Sequence, residues 1–273
     1  FAKFGLRTAW VDFTRPEALQ EIRSHKPAMV WLESPTNPLL KVIDLQEVCA
    51  VAQSLGIPVL VDNTFATALV QRPLELGATL SLTSTTKYIN GHSDALGGAV
   101  CTNDPDWHQK MVFSQKALGL QPSPFDCWLI TRGIKTLPLR LRQQMANAAA
   151  LADQLAEHPR VNWVRYPHRA DHPQHAVASR QMAAGGAIVT VSFDASQEQT
   201  YALCKRLRWF TMAESLGGIE SLICHPATMT HAAVSSEVKA KLGIDDGLVR
   251  FSVGCEDLVD LQTDLQQALE QLV

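Results

Sequence analysis

The sequence predicts an α/β protein, a mostly parallel sheet in a larger domain followed by a smaller α+β domain. Three observations carry this expectation. Short apolar runs at 28–32, 57–61 and 79–83 recur, with a helical segment between the first two. The first two runs are continuously apolar, which is the pattern of a strand covered on both faces, and the third carries Leu80 and Leu82 between hydroxyl residues. Beyond residue 103 the pattern changes to long helical segments and then to strands mixed with helices.

Ala28–Leu32 reads as a buried strand that runs into the loop Glu33-Ser34-Pro35. Asp44 can cap a helix through Leu55, with Leu45, Val48, Cys49, Ala52 and Leu55 on one face and Gly56 as its stop. Ile57–Val61 is the second strand, with Asp62-Asn63-Thr64 at its C-terminal end. Thr79–Thr83 is the third, leading into Ser84-Thr85-Thr86-Lys87, and Gly97–Cys101 is a candidate fourth. Pro105–Leu118 reads as a helix, and Phe125–Glu157 as a long helical stretch bent or broken near Pro138. A strand at Val161–Arg165, a helix at Gln174–Ala184, a strand at Ala187–Phe193 and a helix at Gln197–Arg206 follow. An irregular stretch from Glu214 to His231, a strand at Leu248–Val253 and a helix at Asp257–Leu272 complete the chain. The division between domains is expected at 1–136 and 137–273.

The 273 residues, 46% hydrophobic, are enough for a large core. A net charge of −3 with 19% charged residues gives no basic excess for nucleic acid and no solvated charged tail. No apolar run reaches membrane-spanning length, so no membrane partner is expected. The six cysteines form no C-x-x-C pair and read as free thiols in a reducing cytoplasm. His168, His172 and His175 are spaced like metal ligands. Prolines interrupt them and no acidic or Cys cluster completes the set, so no metal is expected.

Ligands of open α/β sheets bind outside the carboxyl ends of the strands. Asn37, Asp62 and the 84–87 loop fall there. Between Gly77 and Ala99 the only formal charges are Lys87 and Asp94. Lys87 is either an ordinary loop lysine reaching solvent, or an amine desolvated enough to be nucleophilic. Asp62 is either a cap or turn residue, or a carboxylate that keeps a pyridine nitrogen protonated. Ser84 and Thr86 are turn formers or hydroxyl donors to a phosphate. Arg250 is a surface residue with a buried stem, or a bidentate clamp for a substrate carboxylate.

Asp62-Asn63-Thr64-Phe65 together with the run from Ser84 through Lys87 to Asp94 resembles the Cys/Met-metabolism pyridoxal 5′-phosphate (PLP) family. So do Glu33-Ser34-Pro35-Thr36-Asn37-Pro38, Glu214-Ser215-Leu216-Gly217-Gly218 and Leu248–Gly254, in order along essentially the whole chain. The resemblance implies a type I, aspartate-aminotransferase-like PLP fold and a homotetramer of two tight dimers. It implies that Lys87 carries PLP and acts as general base, that Asp62 pairs with the pyridine nitrogen with Thr64 beside it, and that Ser84 and Thr86 bind the phosphate. Asn37, Ser215 and Arg250 would surround the substrate carboxylate, and Glu214 would meet the distal amino group of cystathionine.

The implied activity is γ-elimination of the cystathionine γ-lyase type, giving 2-oxobutanoate, ammonia and cysteine. The segment Cys224–His231 looks like the γ-acting branch, and Pro122–Cys127 and His172–His175 look more like γ-lyase than γ-synthase. The alternatives are γ-replacement on an O-acyl-homoserine by cysteine, methionine γ-elimination, or an inactive truncated fragment. The last arises because the family's Tyr-x-Arg pair, Gly-rich phosphate turn and ring-stacking tyrosine lie upstream of the matched region. Phe1 is accordingly expected not to be the natural start, and this chain alone to bind PLP weakly.

Overall fold

The computed structural model describes residues 2–272, so Phe1 lies outside the described residues. Helix α1 (Ala18–His25) leads into β1 (Val30–Glu33), α2 (Leu45–Ser54), β2 (Val59–Asp62), the short helical turn α3 (Thr67–Val70) and β3 (Leu80–Ser84). The first three strands pair in parallel in chain order, with Glu33 opposite Asp62 and Asp62 opposite Leu82. β4 (Gly98–Cys101) joins antiparallel to β3, so the sheet is mostly parallel, as the apolar runs predict. Asp44 caps α2 by accepting from the Glu47 N–H. The face carrying Leu45, Val48, Cys49 and Ala52 packs on Val30, Leu32, Val59 and Val61.

α4 (Pro105–Leu118) and α5 (Pro124–Ile134) follow, then α6 (Leu137–Ala156). The break between α5 and α6 falls at 135–136. Pro138 stands in the first turn of α6, where its missing N–H leaves no helical hydrogen bond unmade. The C-terminal half runs β5 (Val161–Arg165), α7 (His175–Gln181), β6 (Ile188–Phe193), α8 (Gln197–Arg206), β7 (Thr211–Met212), β8 (Leu222–Cys224), α9 (Ser236–Leu242), β9 (Leu248–Ser252) and α10 (Leu258–Leu269). Its sheet has the order β5-β6-β9-β8-β7, antiparallel except where β7 meets β8.

Each sheet has its own apolar core. A third cluster joins them, with Leu40, Phe65, Tyr88, Leu141, Ile188 and Leu216 among its members. Hydrogen bonds cross the same junction, from Thr190 Oγ1 to the Pro38 carbonyl (2.6 Å) and from Gln181 Nε2 to the Ile43 carbonyl (2.8 Å). The site described below lies along it. Among the described residues no helix is long and apolar enough to cross a membrane.

Candidate active site

Lys87 sits just past β3 in a wide turn, Thr85–Ile89, where the Asn90 N–H reaches back five residues to the Thr85 carbonyl (3.0 Å). Wide turns of this kind recur at functional sites. The buried Arg140 guanidinium fixes the far end of the turn, donating to the carbonyls of Tyr88 (3.0 Å), Ile89 (3.3 Å) and Gly133 (3.0 Å). Lys87 Nζ donates to Ser215 Oγ at 3.2 Å, across the junction between the two sheets. Burial, and after it the positive charge of Arg250, hold the Lys87 amine below its ordinary pKa. That is the direction nucleophilic and general-base work requires.

The loop carrying Ser215 approaches closely at Gly217. A Cβ there would stand 2.8 Å from the Tyr88 amide nitrogen and 3.2 Å from the Lys87 Cβ, and φ is +76°. Glycine is the residue that meets both demands.

Asp62 ends β2. Its Oδ1 accepts from the Thr64 N–H (3.0 Å), and its second carboxylate oxygen has no partner among the described residues. The Thr64 hydroxyl accepts from the Ser84 N–H (2.9 Å), tying the ends of β2 and β3 together. The Ser84 hydroxyl makes no hydrogen bond among the described residues, whereas the Thr86 hydroxyl is engaged by the carbonyl (3.3 Å) and N–H (3.0 Å) of Gly97. The Thr85 hydroxyl is buried without a partner.

Arg250, 1% exposed on β9, completes the group. It donates to Asn37 Oδ1 (2.9 Å) and to the carbonyls of Glu214 (3.0 Å) and Ser215 (3.1 Å), while its Nε has no partner. The Glu214 side chain is exposed beside this clamp and makes no hydrogen bond among the described residues. Lys87, Ser215, Arg250, Asn37 and Glu214 thus form one connected group, and Asp62, Thr64 and Ser84 a second at the adjoining strand ends. Sequence reading passed over Glu33, which stands beside Asp62 in the sheet, and Arg140, which fixes the Lys87 turn. Nothing local in the sequence pairs the strand ending at Glu33 with the one ending at Asp62.

A family model described as Cys/Met metabolism PLP-dependent enzyme matches residues 1–270. The chain belongs to the Cys/Met metabolism PLP-dependent enzyme family. Among its relatives is a cystathionine gamma-lyase from Dictyostelium discoideum, 45% identical over 270 residues, covering 99% of this chain and 70% of the relative. A cystathionine beta-lyase from Coxiella burnetii is 44% identical, covering 97% of this chain and 69% of the relative. The crystal structure of cystathionine gamma synthase from Xanthomonas oryzae pv. oryzae in complex with cystathionine superposes with a TM-score of 0.93 at 47% identity. It covers 96% of this chain and 68% of that one. The fold is therefore the type I PLP-dependent fold, and the chain is a PLP enzyme of cysteine and methionine metabolism. The likeness runs to lyases and synthases alike, so it separates no single activity, and the γ-acting branch is not set apart from the β-lyase by overall similarity.

The residues fit this family's cofactor. An amine held below its ordinary pKa, a carboxylate with one oxygen free, an unpartnered hydroxyl at Ser84 and an orphaned buried hydroxyl at Thr85 are the donors and acceptors that PLP's aldehyde, ring nitrogen and phosphate call for.

Proposed function

We propose that this chain carries the catalytic lysine and substrate clamp of a trans-sulfuration enzyme acting at Cγ, of the cystathionine γ-lyase type. The observation that carries the reading is the bonded path from Lys87 through Ser215 to Arg250, which sets a proton-transferring amine and a carboxylate clamp side by side. PLP, when bound, supplies the electron sink for carbanion chemistry at the substrate's α-carbon. Lys87 would hold the cofactor covalently and then take and return the α-proton at Nζ. The free oxygen of Asp62 would face the ring nitrogen, with Thr64 holding Asp62 in place. Ser84, with Thr86 behind it, would receive the phosphate. Arg250, with Asn37 and Ser215, would seat the substrate carboxylate, its buried and unpartnered Nε a further donor for it. Glu214, exposed at the rim, would meet the distal ammonium of cystathionine.

Cystathionine offered alone should yield a 2-oxo acid, ammonia and a thiol. γ-Replacement is the second reading, favoured by the 47% identity to a cystathionine gamma synthase. Release of cystathionine from an O-acyl-homoserine plus cysteine, with no 2-oxo acid from cystathionine, would put that reading first. Turnover retained in Lys87→Ala would end both.

The reading includes three further elements. The chain divides near residue 136, a division supported by the break between α5 and α6 and by the separate sheets on either side. It self-associates. Support comes from α4, which buries none of its residues, and from Phe113, Leu118, Leu120, Phe125 and Trp128, all more than half exposed. It works in the cytoplasm, which its free cysteines support. Sedimentation of the purified protein tests the second point. Borohydride reduction of the PLP-treated protein, followed by peptide mass analysis, tests attachment at Lys87. No PLP-derived mass on Lys87 would favour an inactive fragment.

A further inference from the structure

The sheet register places a second carboxyl beside Asp62. Glu33 closes β1, Asp62 closes β2, and the two are opposed in a parallel pair. Their side chains leave the sheet on the same face from strands about 4.8 Å apart. Both are mostly buried. The Asn37 N–H donates to the Glu33 carboxyl, and Asn37 Oδ1 accepts from Arg250, so Glu33 supports the loop that partners the clamp. The charged groups that act on Glu33 are Asp62 from β2 and Arg250 from β9.

Two carboxylates this close, out of water, do not both ionise readily. We propose that Glu33 is a positioning residue that carries the proton of this carboxyl pair, so that Asp62 stays ionised for the ring nitrogen and Arg250 keeps its charge for the substrate. The proposal rests on the roles assigned above to Asp62 and Arg250. Burial first, and the Asp62 charge after it, push the Glu33 carboxyl up to about 7, against the pull of the Asn37 N–H and Arg250. Protonated, Glu33 still accepts from the Asn37 N–H through its carbonyl oxygen, so the loop is held in either state. Only the charge changes. Once ionised, Glu33 is an internal rival of the substrate carboxylate for Arg250.

The test is a carbon-13 NMR titration of side-chain carboxyls in the purified protein, with Glu33→Gln to assign the resonance and Asp62→Asn to probe the coupling. One glutamate signal should titrate near pH 7, vanish in Glu33→Gln, and move toward the ordinary glutamate range in Asp62→Asn. In the PLP-loaded protein, KM for the amino-acid substrate should rise several-fold on the alkaline side of that titration, and this rise should be absent in Glu33→Gln. A Glu33 carboxyl that titrates in the ordinary range, or one near 7 that Asp62→Asn leaves in place, overturns the proposal. The underlying reading fails separately. If Asp62 does not serve the cofactor, Asp62→Asn leaves PLP binding intact while the Glu33 signal still moves.

Discussion

Arg250 directs three hydrogen bonds inward and leaves its Nε unpaired, which is how a fixed guanidinium can hold a loop and still present an edge to a ligand. Lysine cannot reproduce that geometry. Arg250→Lys should raise KM about tenfold or more, corresponding to about 1.5–3 kcal/mol for a lost charged hydrogen bond. PLP content should stay near that of the parent, and parallel KM and cofactor assays check both. His172 shows a different use of burial. Nδ1 accepts from the Gln174 N–H and Nε2 donates to the Leu40 carbonyl, so the neutral ring is satisfied. Burial, the largest influence, pushes its pKa down from 6.5 to about 4. Between those values the unfolded chain binds a proton that the folded one refuses, so this contribution to stability is lost as pH falls from 6.5 toward 4. Glu33 acts oppositely. Its folded pKa is raised from 4.5 to about 7, so its contribution is present at low pH and lost as pH rises across that window. The two offset one another where the windows overlap. Denaturant midpoints followed against pH should fall more steeply on the acid side in Glu33→Gln than in the parent, and less steeply in His172→Asn. The motif residues of the site were legible because their types and spacing travel together along the chain. Glu33 was not, because only the pairing of two separate strands brings it beside Asp62.

At the scale of elements, legibility followed local pattern and end signals. The bounds of α4, β5 and α8 match the sequence reading, because each has a full periodic pattern or clear end signals: Asp104 caps α4, and Ser196 with Gln199 closes a capping box on α8. The missed elements α1, α3, β7, β8 and α9 are all short, two to eight residues. A three-residue strand such as β8 exists because β7 and β9 are there to pair with it, and nothing local encodes that. The contact between elements that bears most directly on the Lys87 turn is at Gly217. Gly217→Ala sets a methyl against the Tyr88 amide in a backbone conformation that alanine adopts poorly. It should cost about 1–3 kcal/mol, read as a lower urea midpoint. It should also weaken PLP binding, since the atoms displaced belong to the Lys87 turn.

For the whole molecule, the decisive packing is the third apolar cluster, because it locks together two sheets that each have a core of their own. Leu141 is fully buried within it. Leu141→Ala should therefore destabilise by about 2–5 kcal/mol, and should loosen the junction before either sheet. Hydrogen exchange would report this as early loss of protection in the 85–91 turn and the 214–218 loop, with the centres of both sheets retained. The division into a parallel sheet and a later mixed sheet was legible from hydrophobic pattern alone. How the two meet was not, since the contacts at the junction join residues from about fifty to more than two hundred positions apart.

That separation has a consequence for synthesis. Asn37 and Arg250 lie 213 positions apart, and Lys87 and Ser215 lie 128 apart. Chains emerge from the ribosome N-terminal end first, and long-range pairings form last. A nascent chain that has already formed its parallel sheet therefore presents Lys87 as an ordinary amine, without the burial and the Arg250 charge that lower its pKa and without its hydroxyl partner. On the roles proposed for Lys87 and Arg250, the site is assembled only when β9 is released and docks, so the order of translation itself would withhold activity from unfinished copies.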